Sequence, residues 1–220
     1  MSAKMITYQK TITEMTDSEL ETKYVRDVYD KIAPQFNGKR MNKWSWISDF
    51  IDSLQEQSVI YDIGCGGGRN MLYKKHFFIG VDNSKSFIDI CRSKSLNVIL
   101  SDMTCTGLAS DSANAILSIA SFHHLSSEER RLEGLAEMRR LIQPGGKILL
   151  SIWSIRQQKK SKRKFVYGNN IVEWNNSGVI YKRFYYIFSI DEFTKLCDKV
   201  GLCILEHNWI YGNEVFTLTK

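Results

Sequence analysis

The chain has 220 residues, of which 43% are hydrophobic and 25% charged, proportions that exclude a disordered or fibrous chain and fit one globular domain. No apolar run is long enough to cross a bilayer, and the polar stretch from Met1 to Glu19 lacks the apolar centre of a signal peptide, so no membrane role is expected. Thirty basic against 24 acidic residues leave a net charge of +6, and five scattered cysteines with no Cys-x-x-Cys pair point to free thiols in a reducing compartment.

Residues 1–17 are expected to be flexible. Ser18 is a candidate cap for a helix from Glu19 to Ile32, with Tyr24, Val28, Tyr29 and Ile32 on one apolar face. Pro34 is expected to end that helix and open a loop through Arg40. A second helix is predicted from Lys43 to Leu54, carrying Trp44, Trp46, Ile47, Phe50 and Leu54. Val59 to Ile63 reads as a strand buried on both faces. The turn Gly64-Cys65-Gly66-Gly67-Gly68 follows, then a short helix to Lys75. Glycines let the backbone turn sharply and approach a ligand closely, and the helix would aim its free N–H groups at that ligand.

Further strands are predicted at Phe77–Val81, Asn97–Leu100, Ala113–Ala120 and Lys147–Trp153, the last entered through the turn Pro144-Gly145-Gly146. Helices are predicted from Ser84 to Lys94, from Ser126 or Ser127 to Ile142, and from Ile190 to Val200. Residues 155–180 read as a basic insertion. Its first part carries Arg156, Lys159, Lys160, Lys162, Arg163 and Lys164 and no acid, six charges that equal the whole excess. Such a run suits a polyanionic partner; the alternative is a solvated loop. A short hairpin is expected within Val166–Phe188, and another at Gly212-Asn213 joins Leu202–Tyr211 to Glu214–Leu218. The pattern predicts a single α/β domain over 1–220: a doubly wound, seven-stranded, mostly parallel sheet with a C-terminal antiparallel hairpin.

The glycine turn indicates a nucleotide-type cofactor without naming it. The dinucleotide fingerprint Gly-x-Gly-x-x-Gly fails here, because its last position falls on Arg69. Asp62 precedes the turn. Asp82 ends the second strand, where a carboxylate can accept ribose hydroxyls, and Asp102 follows Ser101, placed to accept from an adenine amino group. Each carboxylate alone is equally a strand-end or capping group. Together with Pro144-Gly145-Gly146, the spacing resembles the class I methyltransferases that use S-adenosylmethionine. That resemblance implies a cofactor site of Tyr29, Arg40, Trp44, Asp62, Gly64, Cys65, Gly66, Asp82, Asn83, Ser101, Asp102, Met103 and Ser118.

Three further segments carry a narrower resemblance. Val28-Tyr29-Asp30-Lys31-Ile32-Ala33-Pro34-Gln35-Phe36, followed by Arg40 and Trp44, is similar to the N-terminal motif of the eukaryotic tRNA wobble-uridine carboxymethyl methyltransferases. Ser118-Ile119-Ala120-Ser121-Phe122-His123-His124-Leu125-Ser126, with Glu129-Arg130-Arg131, resembles that family's fourth-strand motif. Tyr181-Lys182-Arg183-Phe184-Tyr185-Tyr186 resembles its Arg-Tyr-Tyr-His segment, departing from it at the final His. The resemblance implies esterification of the carboxymethyl group of wobble uridine in tRNA. It makes Arg40, His123, His124 and Arg130 the catalytic candidates; no Cys or Asp stands at ligand spacing to the histidines, so no metal is expected.

Arg40 is the first candidate for gripping a carboxylate, whether the substrate's or the cofactor's. The histidines could equally be packing residues, and Arg130 and Arg131 a solvated helix face. Of the aromatic residues, Tyr29 and Trp44 are preferred over Phe36 and Trp153 as cofactor or base contacts. The family also implies a small zinc-binding activator subunit, docked along the edge strand Asn97–Leu100 in a heterodimer. It implies a cytoplasmic location, with the nucleus as the alternative. The competing readings are a small-molecule methyltransferase, an NAD-dependent dehydrogenase, and a tRNA-binding scaffold without catalysis.

Overall fold

The computed structural model of the protein describes residues 15–39, 44–161 and 163–220. Seven strands make one sheet: β1 (Val59–Ile63), β2 (Phe77–Asp82), β3 (Val98–Leu100), β4 (Ala113–Ile119), β5 (Ile142–Trp153), β8 (Cys203–Ile210) and β9 (Asn213–Thr219), in the order β3-β2-β1-β4-β5-β9-β8. The first five strands run parallel, and β9 is antiparallel to both β5 and β8. The expected doubly wound sheet and terminal hairpin are therefore present. The order reverses between β1 and β4, and α/β sheets bind ligands at such a switch point.

Alternation along the central strands divides the core. Ile116, Ile148 and Leu150 face α5 (Glu128–Leu141) and α6 (Ile190–Val200), where Leu135, Met138, Phe193 and Leu196 are buried. Ala115, Leu117 and Leu149 point the other way, onto Ile47 and Ile51 of α3 (Ser45–Asp52) and Cys91 of α4 (Lys85–Ser93). A strand covered on both faces needs apolar residues throughout, and each large aliphatic side chain so buried contributes about 1.5–3 kcal/mol. Pro144-Gly145-Gly146 lies within β5 as a bulge rather than before it: Ala113 pairs with Ile142, but Ala115 already pairs with Lys147.

The N-terminal segment departs from expectation. Helix α1 (Asp17–Glu21) is capped by Thr16, not Ser18. Glu19 N donates to Thr16 Oγ1 at 3.3 Å while Thr16 N donates to Glu19 Oε2 at 2.9 Å, a reciprocal capping box. Ser18 has a glutamate at the same spacing, but Glu21 is engaged elsewhere, as described below. A π-helical turn (Thr22–Arg26) leads into α2 (Asp27–Lys39), which continues through Pro34 instead of stopping there. Proline costs a helix interior about 3 kcal/mol. Here Ile32 and Ala33, both fully buried just before the proline, hold the helix against α4. The predicted helix after the glycine turn is also absent: the chain makes one 3-10 turn (Arg69–Met71), because consecutive glycines and a left-handed Gly68 do not propagate a helix.

The hairpin expected within Val166–Phe188 is longer than a short hairpin. Strands β6 (Gly168–Asn176) and β7 (Val179–Ile187) pair along their whole length as a separate two-stranded sheet. Their inner residues Phe184, Tyr185 and Ile187 are buried against the N-terminal helices and the end of β5. The hairpin therefore walls one side of the site. No helix among the described residues is long and apolar enough to cross a membrane.

Candidate active site

A cleft opens above the carboxyl ends of β1, β2 and β4. Its floor is the glycine turn. Gly64 has φ +79°, and a Cβ built there would stand 2.3 Å from Ser121 Cβ. No side chain larger than hydrogen fits between the two loops. Gly66 also has positive φ, but a Cβ there would meet nothing. The floor is thus bare backbone.

Three aspartates surround the floor, as the spacing predicted, but they are not equivalent. Asp62 is fully buried, and burial pushes its carboxyl up to about 7, against the opposing Asn70 amide and Arg69 charge. Asn70 Nδ2 donates to its Oδ2 at 3.5 Å, whereas Oδ1 has no partner. Asp82 accepts from Gly66 N at 2.8 Å on Oδ2 and from Ser84 N at 2.9 Å on Oδ1; burial still pushes it up to about 6. Asp102 is drawn down instead. Burial alone would raise it, but Thr104 and Arg130 hydrogen-bond it in the ionised form.

These residues fit S-adenosylmethionine. The orphaned Asp62 Oδ1 and the spare lone pairs of Asp82 are acceptors for a ligand rich in hydroxyl and amino donors and bearing positive charge. The bare floor admits close approach, and Cys65, Asn83, Ser101 and Met103 line the same cleft.

Arg130 does not reach into the cleft. Its Nη2 donates to Glu21 Oε2 at 2.8 Å and to Asp102 Oδ2 at 2.7 Å, and Nη1 donates to Thr104 Oγ1 at 2.7 Å. Two carboxylates consume the guanidinium. It stands as a latch between the N-terminal helix and the loop after β3, and the catalytic candidacy of Arg130 is corrected accordingly. Glu21 also accepts from Ser126 N at 2.8 Å, and Asp17 from Ser126 Oγ at 2.9 Å. This latch sets Glu21, Val25 and Tyr29, four residues apart, along the cleft as its cover. Arg131 is not a solvated face either: it is 5% exposed, with its guanidinium 3.6 Å from the Tyr186 ring centre and donating to the Leu125 and Ser126 carbonyls.

The two histidines separate cleanly. His124 lines the cleft; His123 is fully buried behind it, where Nδ1 accepts from Trp153 N at 3.1 Å. Ser118 is likewise buried below the floor, its hydroxyl 3.1 Å from that of Ser121, so it is no cofactor contact at the surface. Trp44 stacks on Trp46 and under Arg69 rather than lining the cleft, while Trp153, rated below it from sequence, does line it. Tyr185 was missed. It stacks on Trp153 with ring centres 4.0 Å apart, and its hydroxyl is 3.1 Å from that of Tyr29. Its only sequence signal was its place in the Arg183-Phe184-Tyr185-Tyr186 segment. Arg40 lies outside the described residues.

Against known proteins, residues 61–150 match the family model described as a methyltransferase domain. A fission-yeast protein (Schizosaccharomyces pombe), named tRNA (carboxymethyluridine(34)-5-O)-methyltransferase, is 33% identical over 219 residues, covering 89% of this chain and 95% of the relative. A mouse protein of the same name is 38% identical over 155 residues, or 70% of this chain and 23% of its own length. The chain thus spans about a quarter of the length of the vertebrate relatives it matches. Among solved structures, the complex between the Haloferax volcanii Trm112 methyltransferase activator and a putative methyltransferase shares the fold, with a TM-score of 0.64 at 14% identity over 87% of this chain and 96% of that one. The sheet order, the bare glycine floor with its aspartates and the near full-length match agree: this chain has the class I S-adenosylmethionine-dependent methyltransferase fold and belongs to the tRNA (carboxymethyluridine(34)-5-O)-methyltransferase family.

Proposed function

We propose that the chain methylates the carboxylate of a 5-carboxymethyl group on the wobble uridine of tRNA, giving the methyl ester. The observation that carries this reading is the similarity along 95% of a relative that bears that activity in its name. The site chemistry supports it. A carboxylate, with a pKa near ~4, is already ionised at neutral pH, so the nucleophile needs no general base. The cleft accordingly offers donors and aromatic walls (Tyr29, His124, Trp153, Tyr185) near the glycine floor.

S-adenosylmethionine, when bound, supplies an electrophilic methyl group. Asp62, Asp82, Asn83 and the backbone of Gly64–Gly66 are assigned to holding it, with Ser101 and Met103 along the cleft. Tyr185 orients the substrate carboxylate, Tyr29 and His124 hold the Tyr185 hydroxyl in place, Trp153 excludes water, and the Glu21–Tyr29 face closes the cleft. Asp102 is assigned to the wall that Arg130 braces, since its carboxylate is already taken.

The chain is further proposed to act with a small zinc-binding activator subunit. The edge strand β3 supports this: its Leu100 is exposed, an apolar edge that a partner strand would cover. A methyltransferase of the same fold has been solved in complex with a Trm112 methyltransferase activator. The test is methyl transfer by the co-expressed pair to two preparations of one tRNA, with and without wobble carboxymethyluridine. Labelling of the first alone is expected. Equal labelling of both, or of neither, sinks the reading.

A further inference from the structure

The fold buries a guanidinium that no carboxylate accompanies. Arg183, near the middle of β7, is 2% exposed, and among the described residues it forms no ion pair; its Nε has no hydrogen-bond partner. An interior cation without a counter-charge is costly, and an enzyme that keeps one beside its cleft has a use for the charge. The guanidinium carbon of Arg183 stands 5.3 Å from the centre of the Tyr185 ring, and the Tyr185 hydroxyl is 3.1 Å from that of Tyr29. Both tyrosines line the cleft.

The proton directions in this cluster are fixed. His124 Nδ1 lies 2.7 Å from the Phe184 carbonyl oxygen, which can only accept, so Nδ1 carries the ring proton. In the neutral ring Nε2 must accept, and the Tyr29 hydroxyl, 3.0 Å away, donates to it. The Tyr29 oxygen is then an acceptor for the Tyr185 hydroxyl at 3.1 Å. The Tyr185 proton is the one that can turn to an incoming anion, with a positive charge behind it.

We propose that Arg183 is a positioning residue for an anionic substrate group: its charge, set behind Tyr185 in the cleft wall, supplies the counter-charge of the carboxylate to be methylated. The inference rests on carboxylate methylation as proposed above. The indirect placement has a chemical reason. A guanidinium forked directly onto the carboxylate would occupy both oxygens and quench the nucleophile. Set behind the Tyr185 ring, the same charge favours the anion and leaves an oxygen free to react.

The experiment compares binding of two tRNAs by the enzyme saturated with S-adenosylhomocysteine: one with the anionic carboxymethyluridine, one with its neutral methyl ester. Wild type is expected to prefer the anion by roughly tenfold or more. Arg183→Met should abolish the preference while leaving S-adenosylhomocysteine affinity and ester binding unchanged, and Arg183→Lys should restore part of it. Because Arg183→Met changes a buried site, Tyr185→Phe provides a second test that keeps the charge but removes the hydroxyl proton offered to the anion; it too should lose the preference. If wild type esterifies the carboxymethyluridine yet either variant keeps the wild-type preference, the role of Arg183 is overturned and the functional reading stands. If wild type neither esterifies nor discriminates, both fall.

Discussion

Two glycines of the floor make opposite demands on a side chain. Gly64→Ala places a methyl group against Ser121 in a left-handed backbone, so it should cost about 3 kcal/mol or more and abolish cofactor binding. Gly66→Ala has the same backbone penalty but open space, and about 1 kcal/mol is expected. Thermal melts and cofactor titration of the two variants read the difference. Asp62 gives a pH signature. Its folded-state value, about 7, exceeds that of an unfolded aspartate, so the unfolded chain releases its proton first as pH rises. The stability it contributes is complete below pH ~4 and is lost as pH climbs through about 7. Asp62→Asn mimics the protonated form. In the cofactor-free protein the variant should melt close to wild type at pH 4 and above it at pH 8, by roughly 4 kcal/mol at most. A gap that stays constant with pH would count against a buried, proton-holding Asp62.

The N-terminal helix is held over the cleft by a single mixed network. Glu21 is the hinge of it, receiving Arg130 and Ser126, while Arg130 ties back to Asp102 and Thr104. Both Glu21 and Arg130 are largely shielded, so removing Glu21 leaves a cation with half its partners gone. Glu21→Ala is expected to cost about 1–3 kcal/mol locally, speeding amide exchange in 17–29 and weakening cofactor affinity, with little change in global melting. Uniform exchange rates in that variant would show that packing alone holds the helix.

Sequence periodicity reads such elements well where a strand or helix answers to its own residues. The doubly wound seven-stranded sheet, the cap at Ser84 and the terminal hairpin were legible in this way. It failed where distant segments decide. Helix α2 runs through Pro34 because α4 packs against it, and Thr16 wins the cap because Glu21 is taken by Arg130. The choice between His123 and His124, and the existence of the Tyr29–His124–Tyr185 cluster, depend on residues 95 and 156 positions apart in sequence. No local pattern encodes them.

For the molecule as a whole, charge and edge point to two macromolecular partners. The basic run is not a free loop. Arg156 stacks over Trp209, which donates to the Arg156 carbonyl at 2.8 Å, Gln158 donates to the Tyr211 carbonyl, and Arg163 stands 4.5 Å from the ring centre of Trp153 in the cleft wall. Arg163 is therefore presented at the cleft wall. Replacing Lys159, Lys160 and Lys164 by Gln should weaken tRNA binding for every sequence alike, lowering the salt slope by about one per lost phosphate contact, with cofactor affinity unchanged. Unaltered tRNA affinity would return the run to a structural role. The uncovered β3 edge leads to a second expectation: the chain alone should be poorly soluble or weakly active, and co-expression with the activator subunit should rescue it.

The central claim is that the methyl group lands on a carboxylate, and ester chemistry tests it directly. Wobble-modified tRNA labelled by the enzyme pair with a radioactive methyl donor is treated with mild alkali, which hydrolyses a methyl ester and leaves N-, C- and ether-linked methyl groups in place. The account predicts that the label leaves the tRNA as volatile methanol. Label that stays with the tRNA would contradict it.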